Sequence, residues 1–346
     1  MYIENILLLI ILQVIPKRGA IRLKKRERVI AAINGRPVDC VPSGFTLHFP
    51  ADSLEGEAAV AAHLDFFRET DTDIIKIMNE NLYPSMGTIK APEDFYKYRI
   101  PGPEDGFIEK QTALTKAILS EADPECFSLG TVRGITPSMI HPLMADGMTY
   151  EEARLFVRDS LRENPEPVLW AARQVTEALC RLARGYIEAG ADGVYYAALG
   201  GERDIFTDRE FELWVKPFEI EVLKAIREAG GYCFLHICKE NLNMERYRSY
   251  GPYIDVVNWG VYEAPLSLSE GQNLFPGKTI MGGLANHQGV IDCGTEAQLR
   301  AEVKSIIRTA GKEGFILGAD CTLPAEISYR QIRAAVDAAR ERGGYI

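Results

Sequence analysis

Eight short runs rich in β-branched and aromatic residues recur along the chain, separated by segments of helical spacing, and this alternation limits the fold more than any other feature. The runs are Val41–Thr46, Asp73–Met78, Phe127–Val132, Asp192–Ala197, Tyr232–Ile237, Asp255–Trp259, Thr279–Leu284 and Gly314–Gly318. They are of strand length and mostly flanked by Gly, Pro or Asp, so they read as strands. Three of the intervening segments open on capping boxes, Thr149-x-x-Glu152, Thr207-x-x-Glu210 and Thr295-x-x-Gln298. Behind them apolar residues recur at spacings of three and four: Phe211, Trp214, Val215, Phe218 and Val222 in one expected helix, Val303, Ile306 and Ile307 in another. Strands alternating with helices imply a parallel sheet, and eight of them imply closure into a single (β/α)8 barrel of the TIM type. An open doubly wound sheet is the alternative. It lacks its usual support, because no Gly-x-Gly-x-x-Gly follows the first strand and no phosphate-binding Gly-x-x-x-x-Gly-Lys-Ser/Thr occurs.

The chain has 346 residues, a length that α/β barrels commonly reach as one unit. The expected domain is one barrel over residues 22–346. It begins with a short basic helix in RLKKRERVIAAING that ends at Gly35. This segment and Pro324–Arg340 are amphipathic, suited to pack on the barrel or on a second subunit in a homodimer. Residues 1–21 read as an extension. Its apolar run from Ile6 to Ile15 falls short of the ~20 residues a membrane helix needs. Lys17 and Arg18 follow that run, whereas a signal peptide carries its positive charge in front. Two connections are long, Asn79–Glu125 after the second strand and Arg133–Gly190 after the third. Loops there would cover the barrel mouth as lids or docking surfaces.

A formal net charge of -10 disfavours nucleic acid and anionic membrane as partners and leaves small molecules or proteins. Seven cysteines, odd in number and widely spread, suit a reducing cytoplasm better than a disulfide framework. Chemistry in such barrels lies at the C-terminal ends of the strands. Those ends carry Thr46 and His48; Asn79 and Glu80; Arg133; Tyr196; His236 and Cys238; Asn258 and Trp259; Asn286 and His287; and Asp320 and Cys321. Alternation along a strand puts His236 and Cys238 on one face, and Cys321 from a distant strand would complete a three-ligand zinc site with one position open. The alternative is that both thiols are small buried apolar groups and His236 is a satisfied core histidine.

Arg26-Glu27-Arg28-Val29, Pro37-Val38-Asp39-Cys40-Val41-Pro42, Gly190-Ala191-Asp192-Gly193, His236-Ile237-Cys238, Met281-Gly282-Gly283-Leu284 and Gly318-Ala319-Asp320-Cys321 together resemble the uroporphyrinogen decarboxylase superfamily. His-x-Cys with a late Cys resembles more narrowly its zinc methyltransferases, the coenzyme M methyltransferase-like branch that accepts methyl groups from methylated corrinoid proteins. The resemblance implies a (β/α)8 barrel, Zn2+ on the residues matching His236, Cys238 and Cys321, and methylcobalamin carried by a partner corrinoid protein. The methyl acceptor would be a thiol or tetrahydrofolate. In that picture Glu80 and Asp320 are the candidate catalytic groups, and Asn79, Tyr196, Asn258 and His287 the candidate substrate contacts. A fourth zinc ligand stays open among Glu263, His287, Asp320 and water. The decarboxylases themselves carry an Arg-rich segment after the first strand and an Asp after the second. Here those places read Ser43-Gly44-Phe45-Thr46-Leu47-His48-Phe49-Pro50 and Met78-Asn79-Glu80, with no arginine to grip a polyanionic tetrapyrrole.

Overall fold

The structure, a computed structural model, describes residues 22–341 except residue 265. The extension expected over residues 1–21 lies outside the described residues. Helix α1 (Lys25–Ile33) and helix α2 (Gly56–Thr70) precede strand β1 (Ile74–Lys76); α3 (Glu109–Glu121) and β2 (Phe127–Arg133) follow. Then come α4 (Ile135–Ala145), α5 (Tyr150–Glu163), α6 (Pro165–Glu188), β3 (Gly193–Ala198), α7 (Asp208–Trp214), α8 (Lys216–Glu228), β4 (Tyr232–Ile237) and β5 (Val256–Trp259). The last elements are α9 (Leu268–Leu274), β6 (Thr279–Leu284), α10 (Val290–Cys293), α11 (Glu296–Ala310), β7 (Phe315–Ala319) and α12 (Tyr329–Arg340). The strands form one parallel sheet in the order β1-β2-β3-β4-β5-β6-β7. Among the described residues no helix is long and apolar enough to cross a membrane.

The sheet has seven strands, not the expected eight. Val41–Thr46 is not a strand; it contributes isolated bridges, Ser43 to Leu317 and, just beyond it, Leu47 to Leu323. Pro42 has no N–H to give a ladder. The segment nevertheless reaches both edges of the sheet. Gly44 N donates to Leu317 O at 3.0 Å and Leu317 N to Pro42 O at 2.9 Å, while Ile74 N donates to Ser43 O at 3.2 Å. One segment can bond to both edge strands only if the sheet curls round on itself.

Side chains alternate across the curled sheet. Ile74, Phe127, Leu129, Tyr195, Phe234, Val256, Met281 and Ile316 point inward and form their own buried cluster, joined by Val29 and Ala32 of α1. Helix α1 therefore plugs the bottom, and Thr279 Oγ1 donates to Ala32 O at 2.9 Å. A larger apolar cluster lies between the sheet and the surrounding helices. Helix α12 packs against α11 and α2, and Arg340 at its end bonds Asp71 at 2.6 Å, so this segment packs on the barrel helices of its own chain.

The capping boxes at Thr149, Thr207 and Thr295 all form, opening α5, α7 and α11. The single helix expected from Phe211 to Val222 is instead two, α7 and α8, broken at Val215. Pro217 in the first turn of α8 cannot donate back into α7, which ends the first helix. The two long connections are not loops throughout. The first carries two short 3-10 turns and α3, the second carries α4, α5 and the 24-residue α6.

Candidate metal centre

His236 ends up inside the curl because Phe234, two residues before it on β4, faces the inner cluster and the strand alternates. Cys238 lies just past the end of β4, and Cys321 two residues past β7. His236 Nε2 stands 3.4 Å from Cys321 Sγ, and the two sulfurs are 3.9 Å apart. All three donor atoms lie within 4.8 Å of one another. Tetrahedral zinc, with Zn–S of about 2.3 Å and Zn–N of about 2.0 Å, sets its donors about 3.8 Å apart for two sulfurs and about 3.5 Å for sulfur and nitrogen. The thiols are too far apart for a disulfide bond. The donor set thus fits a zinc ion in both chemistry and spacing.

The ring of His236 is held in one tautomer. Asn258 Nδ2 donates to Met281 O at 2.9 Å and to Ala319 O at 3.1 Å, which fixes the amide. Its Oδ1 then faces His236 Nδ1 at 2.6 Å and accepts from Tyr195 Oη at 2.8 Å. An amide oxygen only accepts, so the imidazole proton sits on Nδ1 and the lone pair of Nε2 faces the two thiols. The Tyr195 ring stacks on His236 with centroids 5.5 Å apart. The hydrogen bond from Cys238 pulls the Cys321 thiol well below its ordinary range against the cost of burial, helped by His236. Cys238, donating that bond and buried, is pushed the other way.

Other expected residues take different places. Asn258 orients His236 and has no amide group left for a substrate. Asn79 is likewise committed, its Nδ2 to Thr131 O at 3.2 Å and its Oδ1 to Asn81 N at 2.9 Å. Tyr196 points away from the interior, between sheet and helices, where its hydroxyl accepts from Ile135 N at 3.2 Å. Its neighbour Tyr195 is the inward tyrosine. Asp320 is fully buried; its Oδ2 accepts from Tyr262 N at 3.0 Å and its Oδ1 has no hydrogen-bond partner among the described residues. Burial pushes its carboxyl up to about 7. His287 is exposed, and neither it, Glu263 nor Asp320 belongs to the three-donor cluster found among the described residues.

Glu80 joins His48 Nδ1 at 2.5 Å and Arg133 Nη2 at 2.6 Å. Burial opposes its charge, but the hydrogen bond from His48 and the positive charge of Arg133 and Lys76 hold it below the usual carboxylate range. A cleft of about 1240 Å³ runs between α2 and α3 and reaches Glu80, and none of the three donors lines it.

Lys76 was not among the expected residues. It faces inward two positions after Ile74, is 5 % exposed, and holds its Nζ 4.2 Å from the centre of the Tyr195 ring. Its hydrogen bond goes to the thioether of Met78 at 3.3 Å. Burial lowers its pKa to about 8, partly offset by Cys321, Glu80 and Cys238. The signal in the sequence was a lysine in the middle of the apolar run Ile74-Ile75-Lys76-Ile77-Met78.

The fold has solved counterparts. A methyltransferase from Methanosarcina mazei superposes with a TM-score of 0.74 at 16% identity, covering 92% of this chain and 98% of that one. A B12-independent methionine synthase from Shewanella sp. W3-18-1, solved with selenomethionine, gives 0.54 at 13%, covering 87% and 97%. At such identities the likeness is one of fold. No curated protein matches the sequence. The model of the uroporphyrinogen decarboxylase (URO-D) family matches residues 74–342, which is most of the chain and includes all three donors. The chain belongs to the uroporphyrinogen decarboxylase family.

Proposed function

We propose that this protein is a zinc-dependent methyltransferase that moves a methyl group from a methylated corrinoid protein to a thiol or tetrahydrofolate acceptor. The observation that carries the reading is the convergence of His236, Cys238 and Cys321 at zinc-like spacings, with no fourth donor in the cluster among the described residues. Three protein ligands and a vacant position are the pattern of catalytic zinc, whereas structural sites close with four. Bound zinc would supply the positive charge that converts an acceptor thiol to its nucleophilic thiolate.

The chain's own residues do the rest. Asn258 keeps the His236 proton on Nδ1, so Nε2 is a ready donor. Tyr195 braces that amide and covers one face of the imidazole. Asp320, buried beside Cys321, is proposed to hold a proton next to the centre, and Glu80 to orient the acceptor at the rim, with His287 as a further contact. The corrinoid protein would dock over the mouth, presenting its methyl group to the metal side. Tetrapyrrole decarboxylation finds less support, because the segment 43–50 holds no arginine for the carboxylates.

The test is methyl transfer from methylcobalamin to a thiol, followed by the absorbance of the corrinoid. Wild type should turn over after zinc loading, and His236→Ala, Cys238→Ala and Cys321→Ala should each lose more than about 100-fold. Full rates in any of the three would remove that residue from the ligand set. Release of CO2 from uroporphyrinogen without methyl transfer would replace the reading altogether.

A further inference from the structure

Lys76 raises a question of charge. A buried ammonium is costly unless it is paired, and a leucine or methionine would fill the same space inside an apolar sheet. Among the described residues no carboxylate lies within 4.0 Å of its Nζ; its neighbours are the face of the Tyr195 ring and the Met78 sulfur. Glu80, the nearby acid, is already bonded to both His48 and Arg133. Among the described residues the ammonium of Lys76 thus has no acid paired with it directly, only more distant anionic groups.

Its position relates that charge to the three-donor cluster. Tyr195 contacts both Lys76 and His236: its ring stacks on the imidazole of His236 and also lies under the Lys76 ammonium. Lys76 is also within electrostatic reach of Cys321 and Cys238. Zinc on one neutral imidazole and two thiolates carries no net charge, so it needs no countercharge. A third thiolate, delivered by the acceptor once its thiol has released its proton to water, makes the centre anionic. A neutral ligand such as an amine does not.

We propose that Lys76 is the fixed countercharge for an acceptor held as a thiolate at the His236, Cys238 and Cys321 centre, and that it acts as a positioning residue favouring thiols over neutral acceptors. The inference rests on the reading of that cluster as a metal site and adds a choice of acceptor class to it.

The experiment uses cobalt(II) in place of zinc, because sulfur-to-cobalt charge-transfer bands report each thiolate directly. Wild type, Lys76→Met and Lys76→Arg are loaded with cobalt and titrated at one pH with 2-mercaptoethanol, whose only charge is its thiolate, and separately with imidazole. Lys76→Met should load cobalt and bind imidazole as wild type does, yet need at least about 10-fold more 2-mercaptoethanol to develop the added band. Lys76→Arg, which keeps the charge, should recover most of that loss. Equal affinity for 2-mercaptoethanol in Lys76→Met and wild type would overturn the inference. So would an equal loss for thiol and imidazole, which marks a packing role. Failure of wild type to take up cobalt or zinc would instead overturn the metal reading, and this inference with it.

Discussion

The function of single residues here depends on which neighbour fixes them. His236 can serve as a metal ligand because Asn258 is pinned by two backbone carbonyls and offers only an acceptor to Nδ1. Replacing Asn258 with leucine should leave the chain folded and weaken zinc binding about 10- to 100-fold, as loss of a ligand-orienting partner does elsewhere. Competition against a chromogenic chelator measures this, and an unchanged affinity would show that the imidazole orients itself. The convergence of His236, Cys238 and Cys321 was legible in the sequence because His-x-Cys on a strand and a Cys past a later strand fall at the same end of a parallel sheet. The neighbours were less legible. Tyr196 and Tyr195 differ by one step of strand alternation, and nothing in the sequence says which of two adjacent tyrosines faces inward. Asn79 and Asn258 end their strands as expected, but their amides are spent on backbone groups that only the folded structure brings close.

At the scale of elements, the sheet determines how near the helices lie. Gly130 on β2 has no room for a side chain: a Cβ there would sit 2.3 Å from the ring of Tyr186 on α6. The ring lies flat on the strand, and its hydroxyl donates to Thr131 O at 2.7 Å. On α8 the same tight packing encloses an acid. Glu219 is fully buried, accepts from Tyr250 Oη at 2.6 Å through Oε2, and has an unpartnered Oε1. Burial raises its pKa from 4.5 to about 8, slightly eased by the Tyr250 bond. The unfolded chain loses this proton near 4.5 while the folded protein keeps it up to about 8, so the folded state binds the extra proton in between. Stability should therefore fall as pH rises across that window, with a slope of at most about 1.4 kcal/mol per pH unit from this group. Urea unfolding at pH 5 and pH 7.5 should show Glu219→Gln gaining on wild type at the higher pH. A difference between the two proteins that does not change with pH would contradict it. The ends of the seven strands that form were legible to within two residues because short β-branched runs leave few other choices. The break between α7 and α8 was missed because apolar spacing runs on through Val215 while Pro217 stops the hydrogen bonds.

Across the whole molecule, the residues that carry the family pattern divide into two groups at opposite ends of the sheet. At the bottom, Arg28 pairs with Asp39 at 2.7 Å and also with Asp73, and Arg26 pairs with Asp192 at 2.6 Å. Lys25 and Arg340 meet on Asp71, at 2.5 and 2.6 Å, so the first described helix and the last are tied to the same turn before β1. These acids and bases hold the plug in place. At the top, His236, Cys238 and Cys321 form the three-donor cluster, with Lys76 below it and the linked His48, Glu80 and Arg133 nearby. A parallel curled sheet was readable from the alternation of elements. Its eighth strand was not, because Val41–Thr46 has the composition of a strand while Pro42 and Gly44 limit it to isolated bonds with its two neighbours. The central claim, an open zinc centre on three protein ligands, is tested most directly by the zinc K-edge X-ray absorption of the purified protein before and after addition of a thiol. The account predicts one zinc per chain with two sulfurs at about 2.3 Å and lighter atoms completing the shell, changing to three sulfurs when the thiol is added. Absence of zinc from the protein, or a shell that the thiol leaves unchanged, would contradict it.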